Sequence, residues 1–461
     1  MTVSPLKMTL QEVADSIPGA QLHGVSDVLI TGISTDTRKI PFGCLFFALR
    51  GDRFDAHDFI PEALASGATA IVSERPLDPK TPHILVADTR IALGAIAKAW
   101  RRRFEIPVIT VTGSNGKTTV TQMLAMILAT SSGEAQRLAT QGNLNNEIGL
   151  PLTLFRMHGG HQRAVLELGM NHPGEIRYLA DIAQPTVALV NNAQREHQEF
   201  MGTVEATAYE NGAAISALPD SGHAVFPADD ACAPIWRALA KDRDIMDFGF
   251  KNPARIKAAW RSEADGMILT LDTPNGRIEP RLALAGAHNA HNAAAAASAA
   301  LAAGISLSEI LQGLESFRPV SGRGVIVRST QGATLIDDSY NANPDSVLAA
   351  IDLLADRPKP AYLILGDMGE VGEKGPEFHT EVGQYAKSRG LTGLMTLGHL
   401  AQNAAEAFDA NSVQHFETLE ALLEAVQPLA AKGATLLIKG SRFMKMERVI
   451  EALTGSSSAQ H

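Results

Sequence analysis

Cysteine is nearly missing from this chain: Cys44 and Cys232 are the only two in 461 residues, and they lie far apart. That excludes a disulfide framework and any Cys-x-x-Cys metal site. Aromatic residues are also scarce, at 5%, so the cores must be built on aliphatic side chains. Positive charge is in deficit, since 40 Lys and Arg against 50 Asp and Glu leave a net charge of −10. Such a balance disfavours a general nucleic-acid or anionic-membrane binder, although one local basic pocket is compatible with it. Long strongly apolar runs are missing too. The nearest approach, Ala290 to Gly304, is alanine-rich and has His288 and His291 crowding its start. Alanine inserts weakly and the run falls short of about 18 strongly apolar residues, so a buried helix of a soluble protein is expected, with no membrane insertion. No long apolar core follows Lys7, so no secretory signal is expected and the cytoplasm is the expected compartment. The GSSSAQH tail reads as a frayed terminus.

What is present is a globular mixture, 45% hydrophobic, long enough for about three domains. In the first hundred residues, VLITGISTDTRKIPFGCLFFALRG holds two apolar runs separated by Pro41-Phe42-Gly43, a turn signal. A helix is expected from Pro61 and a strand at Ala70 to Val72, which reads as a small α/β domain. From Ile106 the pattern changes. IPVITVT is a β-branched run suited to a strand buried on both faces, and VTQMLAMILAT has helical apolar spacing. Further strands are expected at Arg163–Leu168 and Thr186–Val190, and the alanine-rich helix closes the region. Alternation of this kind predicts a doubly wound parallel sheet. The Pro- and Gly-containing stretch 316–324 marks a boundary. Beyond it TLIDDSY, AYLILGDM, LMTLGH and ATLLIKG are four strand-like runs, each followed by helical pattern. The expected fold class is therefore α/β in three domains. These are a small N-terminal domain over 1–104, a central phosphate-loop domain over 105–318, and a Rossmann-like C-terminal domain over 319–461.

The strongest chemical signal is Gly113-Ser114-Asn115-Gly116-Lys117-Thr118-Thr119, which joins a buried strand to a helix. Glycines let backbone N–H groups close on phosphate oxygens at a helix N-terminus, Lys117 would reach the terminal phosphates, and the Thr118 hydroxyl would take a Mg²⁺ position. The strict pattern wants a glycine at the position of Val111, so this is a shorter variant. Glu167 ends an apolar strand, where a carboxylate is either solvated or paired with a metal. His197 follows another strand end, and taken alone it is either a surface loop histidine or a ligand.

These features, with TQGNLNNEIGLPLTL at 140–154, HNAHNAAAA at 288–296, IDDSYNANPDS at 336–346 and IKGSRFMKMERV at 438–449, resemble the Mur ligases over nearly the whole chain. QGNLNNEIG, DDSYNANP and KGSRFMKMERV are together the specific ones, since GSNGKTT is shared by all Mur ligases and by folylpolyglutamate synthases. The resemblance implies a ligase using ATP and Mg²⁺. It is closest to the member that joins D-alanyl-D-alanine to UDP-N-acetylmuramoyl-tripeptide through an acyl phosphate, for peptidoglycan precursor synthesis. It implies catalytic roles for Lys117, Glu167 and His197, with Thr118 and Glu167 on one Mg²⁺ and His197 on a second. It places Asn289 beside adenine, and Arg323, Asp338, Tyr340 and Asn341 at phosphates and ribose, with Asn343 in the same loop. Ser34, Asp36, Arg38, Thr140, Asn143 and Asn146 would meet the UDP-sugar, and Lys439, Ser441 and Arg442 the dipeptide carboxylate. No obligate interface is visible, so a monomer is expected, with no nucleic-acid partner.

One departure stands out. Mur ligases usually carry a carbamylated lysine fourteen residues after the metal histidine, helping to hold the second Mg²⁺; here that position is Asn211, and Ala213 stands where an acidic residue is common. Asparagine cannot be carbamylated, so Glu210, Glu199, a chloride or a water is expected to compensate. Two rival readings follow: a folylpolyglutamate synthase, against which STDTRK and DDSYNANP speak, and a scaffold that has lost activity, against which the intact Lys117, Thr118, Glu167 and His197 speak. A ligase adding the third peptide residue is a nearer alternative within the family.

Overall fold

The computed structural model describes residues 6–51, 54–263, 266–319, 321–408 and 412–455. Part of the start segment, Val320 in the boundary stretch and residues 456–461 of the tail lie outside the described residues.

The phosphate-loop region is organised by a six-stranded, all-parallel sheet. From edge to edge it runs Asp244–Ile245, His223–Val225, Val187–Val190, Val108–Thr112, Arg163–Glu167 and Arg137–Ala139. The chain moves one way from Val108–Thr112 to reach Arg137–Ala139 and Arg163–Glu167, then crosses to the other side for Val187–Val190. Ligands of such sheets bind in the crevice outside the strand C-termini where the order reverses. Every residue of Val108–Thr112 is buried, as its β-branched run requires. Helix Lys117–Ser132 leaves that strand end and packs against the alanine-rich helix Ala287–Ala302 and helix Leu307–Ser316. Small residues set the closeness of these contacts. Ala293 through Ala297 are buried, and a Cβ on Gly313 would come within 2.6 Å of Ile127 Cα.

The strand reading passes straight from Val190 to the alanine helix, but the structure holds a second, largely antiparallel sheet there. Phe248–Gly249, Ile256–Glu263, Gly266–Thr273 and Gly276–Ile278 form it, with Arg281–Leu282 also paired to Gly266–Thr273. Met267, Leu269 and Leu271 alternate toward the core shared with the alanine helix.

At the N-terminus, Gln21–His23, His83–Leu85, Ala70–Ser73, Cys44–Phe47 and Gly32–Ser34 form a five-stranded sheet, parallel except for the pair at Gln21–His23. Helix Thr89–Arg101 packs its buried Leu93, Ile96, Ala97 and Trp100 in one continuous core with Leu154, Ile176 and Leu179 of the central region. The C-terminal sheet has six strands rather than the four expected. Thr334–Asp338, Thr435–Lys439, Ala361–Gly366 and Gly393–Leu397 match those runs, and Val325–Arg328 and Val413–Phe416 are added at the two edges. Edge strands this short and half-exposed carry little apolar pattern to read. Among the described residues, no helix is long and apolar enough to cross a membrane.

Candidate active site

Helix Lys117–Ser132 begins at Gly116, which takes φ +80° with no side chain capping the helix start. The first N–H groups of a helix have no partner within it, so an uncapped start inside a crevice presents donors and the positive end of the helix dipole to an anion. The loop amides before it are already used. Gly113 N–H donates to Asn211 Oδ1 at 2.8 Å, Ser114 N–H to the Asn192 carbonyl at 3.2 Å, and Asn115 N–H to Asn192 Oδ1 at 2.8 Å. The donors free for a ligand are thus those from Gly116 to Thr119, and Gly113, Ser114 and Asn115 shape the cradle from behind.

Lys117 folds over this loop. Its Nζ donates to the carbonyls of Gly113 (2.6 Å) and Ser114 (3.2 Å) and to Glu196 Oε1 (2.9 Å), which uses all three ammonium protons. Beside it, Thr118 Oγ1 donates to Glu167 Oε1 at 3.2 Å, and Asn145 Nδ2 donates to the same oxygen at 2.8 Å. Glu167 is 3% exposed, and its Oε2 is buried with no hydrogen-bond partner among the described residues. An unpartnered buried carboxylate oxygen is costly unless a cation supplies the missing charge, so this donor set fits Mg²⁺. Thr140 lies beneath, buried, its hydroxyl accepting from the Glu167 N–H at 3.0 Å. It therefore fixes the Glu167 backbone at the strand end.

His197 takes a left-handed conformation, φ +49°, at the start of the short helix Gln198–Met201. Its Nε2 lies 3.5 Å from Glu196 Oε1, and its Nδ1 makes an ion-pair contact at 2.5 Å with Glu370 Oε2 of the C-terminal region. Burial pulls the imidazole pKa down, but the carboxylates of Glu196 and Glu370 outweigh it and hold it up at about 9. Because the folded value exceeds the ordinary 6.5, the contact stabilises fully below that pH and is lost as pH rises through about 9. The thermal midpoint of the ligand-free chain should therefore fall between about pH 7 and about pH 10, and more steeply in wild type than in H197Q. Equal slopes in a melting series would contradict this.

Two further contacts close the C-terminal region onto the loop. Asn343 caps helix Pro344–Ala355 and exchanges side-chain hydrogen bonds with Asn115 at 2.9 and 3.3 Å. Arg195 grips Asp345 through Nε (3.1 Å) and a terminal nitrogen (2.7 Å), reaches Glu381 at 2.6 Å, and stacks over the Phe378 ring. Neither Arg195 nor Glu196 was expected from the sequence. A forked guanidinium on two carboxylates, partly shielded from water, contributes about 1–2 kcal/mol, a factor of roughly 5–30 in the closed-to-open ratio. R195A should lower nucleotide affinity by a comparable factor and enlarge the radius of gyration in small-angle scattering. Unchanged values of both would remove the latch role.

Asn289 is buried, donates to the Ala285 carbonyl at 2.9 Å, and belongs to a chain of amides through Asn292 to Asn191. Asp338 and Lys439 meet each other at 2.6 Å, and Lys439, 3% exposed, also donates to the Asn341 carbonyl. Ser441 Oγ accepts from Gly369 N–H at 2.6 Å and donates to the Ala342 carbonyl. Lys439 and Ser441 therefore brace the 338–343 loop. Arg323 lies 4.1 Å and Arg442 5.5 Å from the centre of the Tyr340 ring, so two guanidinium groups share one aromatic platform. In the N-terminal sheet, Ser34 Oγ shares its proton between the carbonyls of Asp36 (2.9 Å) and Lys39 (2.8 Å), and Arg38 forks onto Asp36 while staying largely exposed. Asn143 and Asn146 are exposed at the turn before helix Gly149–Leu154, where Asn146 Oδ1 accepts from Gly149 N–H at 2.9 Å.

Neither carboxylate expected to compensate for Asn211 sits at the loop. Both oxygens of Glu210 accept from Gly174 and Ile176 N–H groups at the start of helix Glu175–Ala183, and Glu199 is exposed. Asn211 itself is 1% exposed; its carbonyl accepts from Thr112 Oγ1, and its Nδ2 has no partner among the described residues.

A mixed α/β chain with an uncapped phosphate-type helix start, closed by a second α/β region, is the architecture of an ATP-dependent ligase of the Mur type. Residues 29–101 match the family description "Mur ligase family, catalytic domain", 111–300 "Mur ligase middle domain", and 322–442 "Mur ligase, glutamate ligase domain". The chain is 38% identical to the UDP-N-acetylmuramoyl-tripeptide--D-alanyl-D-alanine ligase of Escherichia coli (strain K12), over 97% of this chain and 98% of that protein. Among solved structures it is similar to MurF from Acinetobacter baumannii, with TM-score 0.92 and 34% identity over 98% of this chain and 100% of that one. MurF ligase from Thermotoga maritima, solved in complex with ADP, gives TM-score 0.81 and 28% identity over 92% of this chain and 97% of that one. The chain belongs to the Mur ligase family.

Proposed function

We propose that the loop from Gly113 to Thr119 binds ATP and that the chain uses it to join D-alanyl-D-alanine to UDP-N-acetylmuramoyl-tripeptide, a step of peptidoglycan precursor synthesis. The observation that carries the nucleotide site is the uncapped start of helix Lys117–Ser132, with Lys117 over it and the unpartnered Glu167 oxygen beside Thr118. The substrates are taken from the relatives, which match over 98–100% of their length.

A carboxylate is a poor electrophile because its oxygen is a poor leaving group. Its oxygen attacks the γ-phosphorus of ATP, ADP departs, and the acyl phosphate so formed is open to the D-alanyl-D-alanine amine. That nitrogen adds to the acyl carbon, loses a proton, and phosphate leaves with the C–O bond, completing the amide. The chain contributes position and charge. Lys117 exchanges a loop carbonyl for a phosphate oxygen, and the amides of Gly116 to Thr119 hold the transferring group. Thr118 and Glu167 would hold one Mg²⁺ and His197 a second; bound there, the ions neutralise phosphate charge during transfer. Arg195 and Asn343 keep the C-terminal region over the loop, which excludes water from an intermediate that water would destroy. Asn289, Arg323, Asp338, Tyr340 and Asn341 are assigned to the nucleotide, with Lys439 and Ser441 bracing that loop and Arg442 offered to the dipeptide carboxylate. Ser34, Asp36, Arg38, Asn143 and Asn146 are assigned to the UDP-sugar, and Thr140 to the orientation of Glu167. This gives regions 1–104, 105–318 and 319–461 their roles in UDP-sugar binding, ATP binding, and closure with dipeptide binding. We assign the reaction to a cytoplasmic monomer.

The test is ADP release with ATP, Mg²⁺, UDP-N-acetylmuramoyl-tripeptide and D-alanyl-D-alanine, each omitted in turn, using diaminopimelate- and lysine-containing tripeptides. Release that needs all components supports the proposal. No release with either tripeptide, or release with L-glutamate and folate instead, rejects it.

A further inference from the structure

We propose that Glu196 is the carboxylate that, with His197, holds a second divalent cation against the ATP phosphates, supplying a negative charge that Asn211 lacks. The proposal rests on the ATP-site reading above.

Glu196 is 8% exposed, and its Oε2 is buried with no hydrogen-bond partner among the described residues. A buried carboxylate oxygen normally finds a donor, because leaving it bare forfeits its hydration with nothing in return. Its other oxygen shows where it faces: Oε1 accepts from Lys117 Nζ at 2.9 Å and lies 3.5 Å from His197 Nε2. The carboxylate therefore sits at the rim of the phosphate cradle. A triphosphate entering that cradle brings several negative charges toward a fixed anion in a partly dehydrated site, where like charges repel far more than in water. Lys117 bonds both the loop and Glu196, so its one charge is already shared. A divalent cation between Glu196 and the phosphates supplies further positive charge where the two anions face each other.

The other acidic groups nearby are committed. Glu167 shares Oε1 with Thr118 and Asn145, Glu210 caps a helix, and Glu370 approaches His197 from the opposite nitrogen on another part of the chain. The segment bearing Glu196 is also held in place. Gln194 N–H donates to Ser114 Oγ, Arg195 N–H donates to Asp345 Oδ2, and His197 is locked at φ +49°. Among the described residues no group of three or more His, Cys, Asp or Glu side chains could hold a metal ion by itself. Two protein ligands completed by phosphate oxygens and water suit Mg²⁺, which keeps waters and leans on substrate phosphates.

The test counts Mn²⁺ bound to the full chain with a non-hydrolysable ATP analogue, by electron paramagnetic resonance of the free ion. Wild type should bind two ions per nucleotide. E196Q should bind the first with unchanged affinity and the second at least about tenfold more weakly, whereas E167Q should weaken the other ion. E196D keeps the charge and should retain more of the second site than E196Q does, and it serves as the test variant if E196Q fails to fold. Two ions bound equally well by wild type and the Glu196 variants, or one ion only in wild type, would overturn the proposal. Weaker analogue binding at an unchanged ion count would also overturn it, leaving Glu196 as a mere counter-charge for Lys117. Failure of wild type to bind the analogue with or without metal is a distinct result: it rejects the ATP site itself, and this proposal with it.

Discussion

Lys117→Ala should lower the rate of ADP release by ~10²–10³-fold, with the fold retained. The side chain places all its donors on the loop and on Glu196, within reach of whatever occupies the helix start. When the terminal phosphoryl moves between two oxygens its charge spreads over the equatorial oxygens, and a fixed ammonium there is worth more in the transition state than in the ground state. Arginine should not rescue, because a planar fork cannot reproduce three converging bonds to two carbonyls and a carboxylate. Steady-state ADP release and a thermal melt on K117A and K117R check this. Activity within about tenfold of wild type in K117A would show that the loop's amides suffice.

Gly116→Ala should be nearly as damaging, and it acts through geometry alone. Gly116 holds φ +80°, which costs an L-residue about 1–2 kcal/mol. Worse, its Cβ would fall well inside contact distance of Asn292 Oδ1 and Asn191 Nδ2, which bond each other at 2.9 Å across the glycine. Splitting that buried pair strands amide groups at about 1–3 kcal/mol. Together, roughly 2–5 kcal/mol is about 30- to several-thousand-fold, and it falls on nucleotide binding because the displaced atoms form the wall of the cradle. Calorimetric titration with the ATP analogue should show the loss while far-ultraviolet circular dichroism is unchanged. A variant that binds the analogue normally would mean the loop tolerates the shift.

The cradle is legible from sequence because its parts are local: a β-branched strand, glycines where the chain must turn, a lysine, and a helix, all within a few residues. Glu167 is legible for the same reason, as a charge at the end of an apolar strand. Glu196 and Arg195 are not, since each acquires its meaning from partners 79 and 150 residues distant. Nothing in NNAQREHQEF distinguishes Glu196 from the exposed Glu199 three residues on; only the fold buries one and not the other. Thr140 and Lys439 each have a structural partner that the motif alone does not show. A polar residue inside a functional motif is as readily a brace for its neighbour as a contact for the ligand: Thr140 accepts from the Glu167 backbone N–H, and Lys439 pairs with Asp338. The second sheet of the central region announces itself only through the short alternation of Met267, Leu269 and Leu271, too brief to separate from loop by period alone.

The most direct measurement follows an oxygen atom. UDP-N-acetylmuramoyl-tripeptide labelled with oxygen-18 in its terminal carboxylate is turned over with ATP and D-alanyl-D-alanine, and the released phosphate is analysed by mass. One labelled oxygen per phosphate is the predicted result, because the acceptor's oxygen leaves bonded to phosphorus. Unlabelled phosphate from a reaction that still yields ADP would mean that water, and not the peptide acid, receives the phosphoryl group held by residues 113–119.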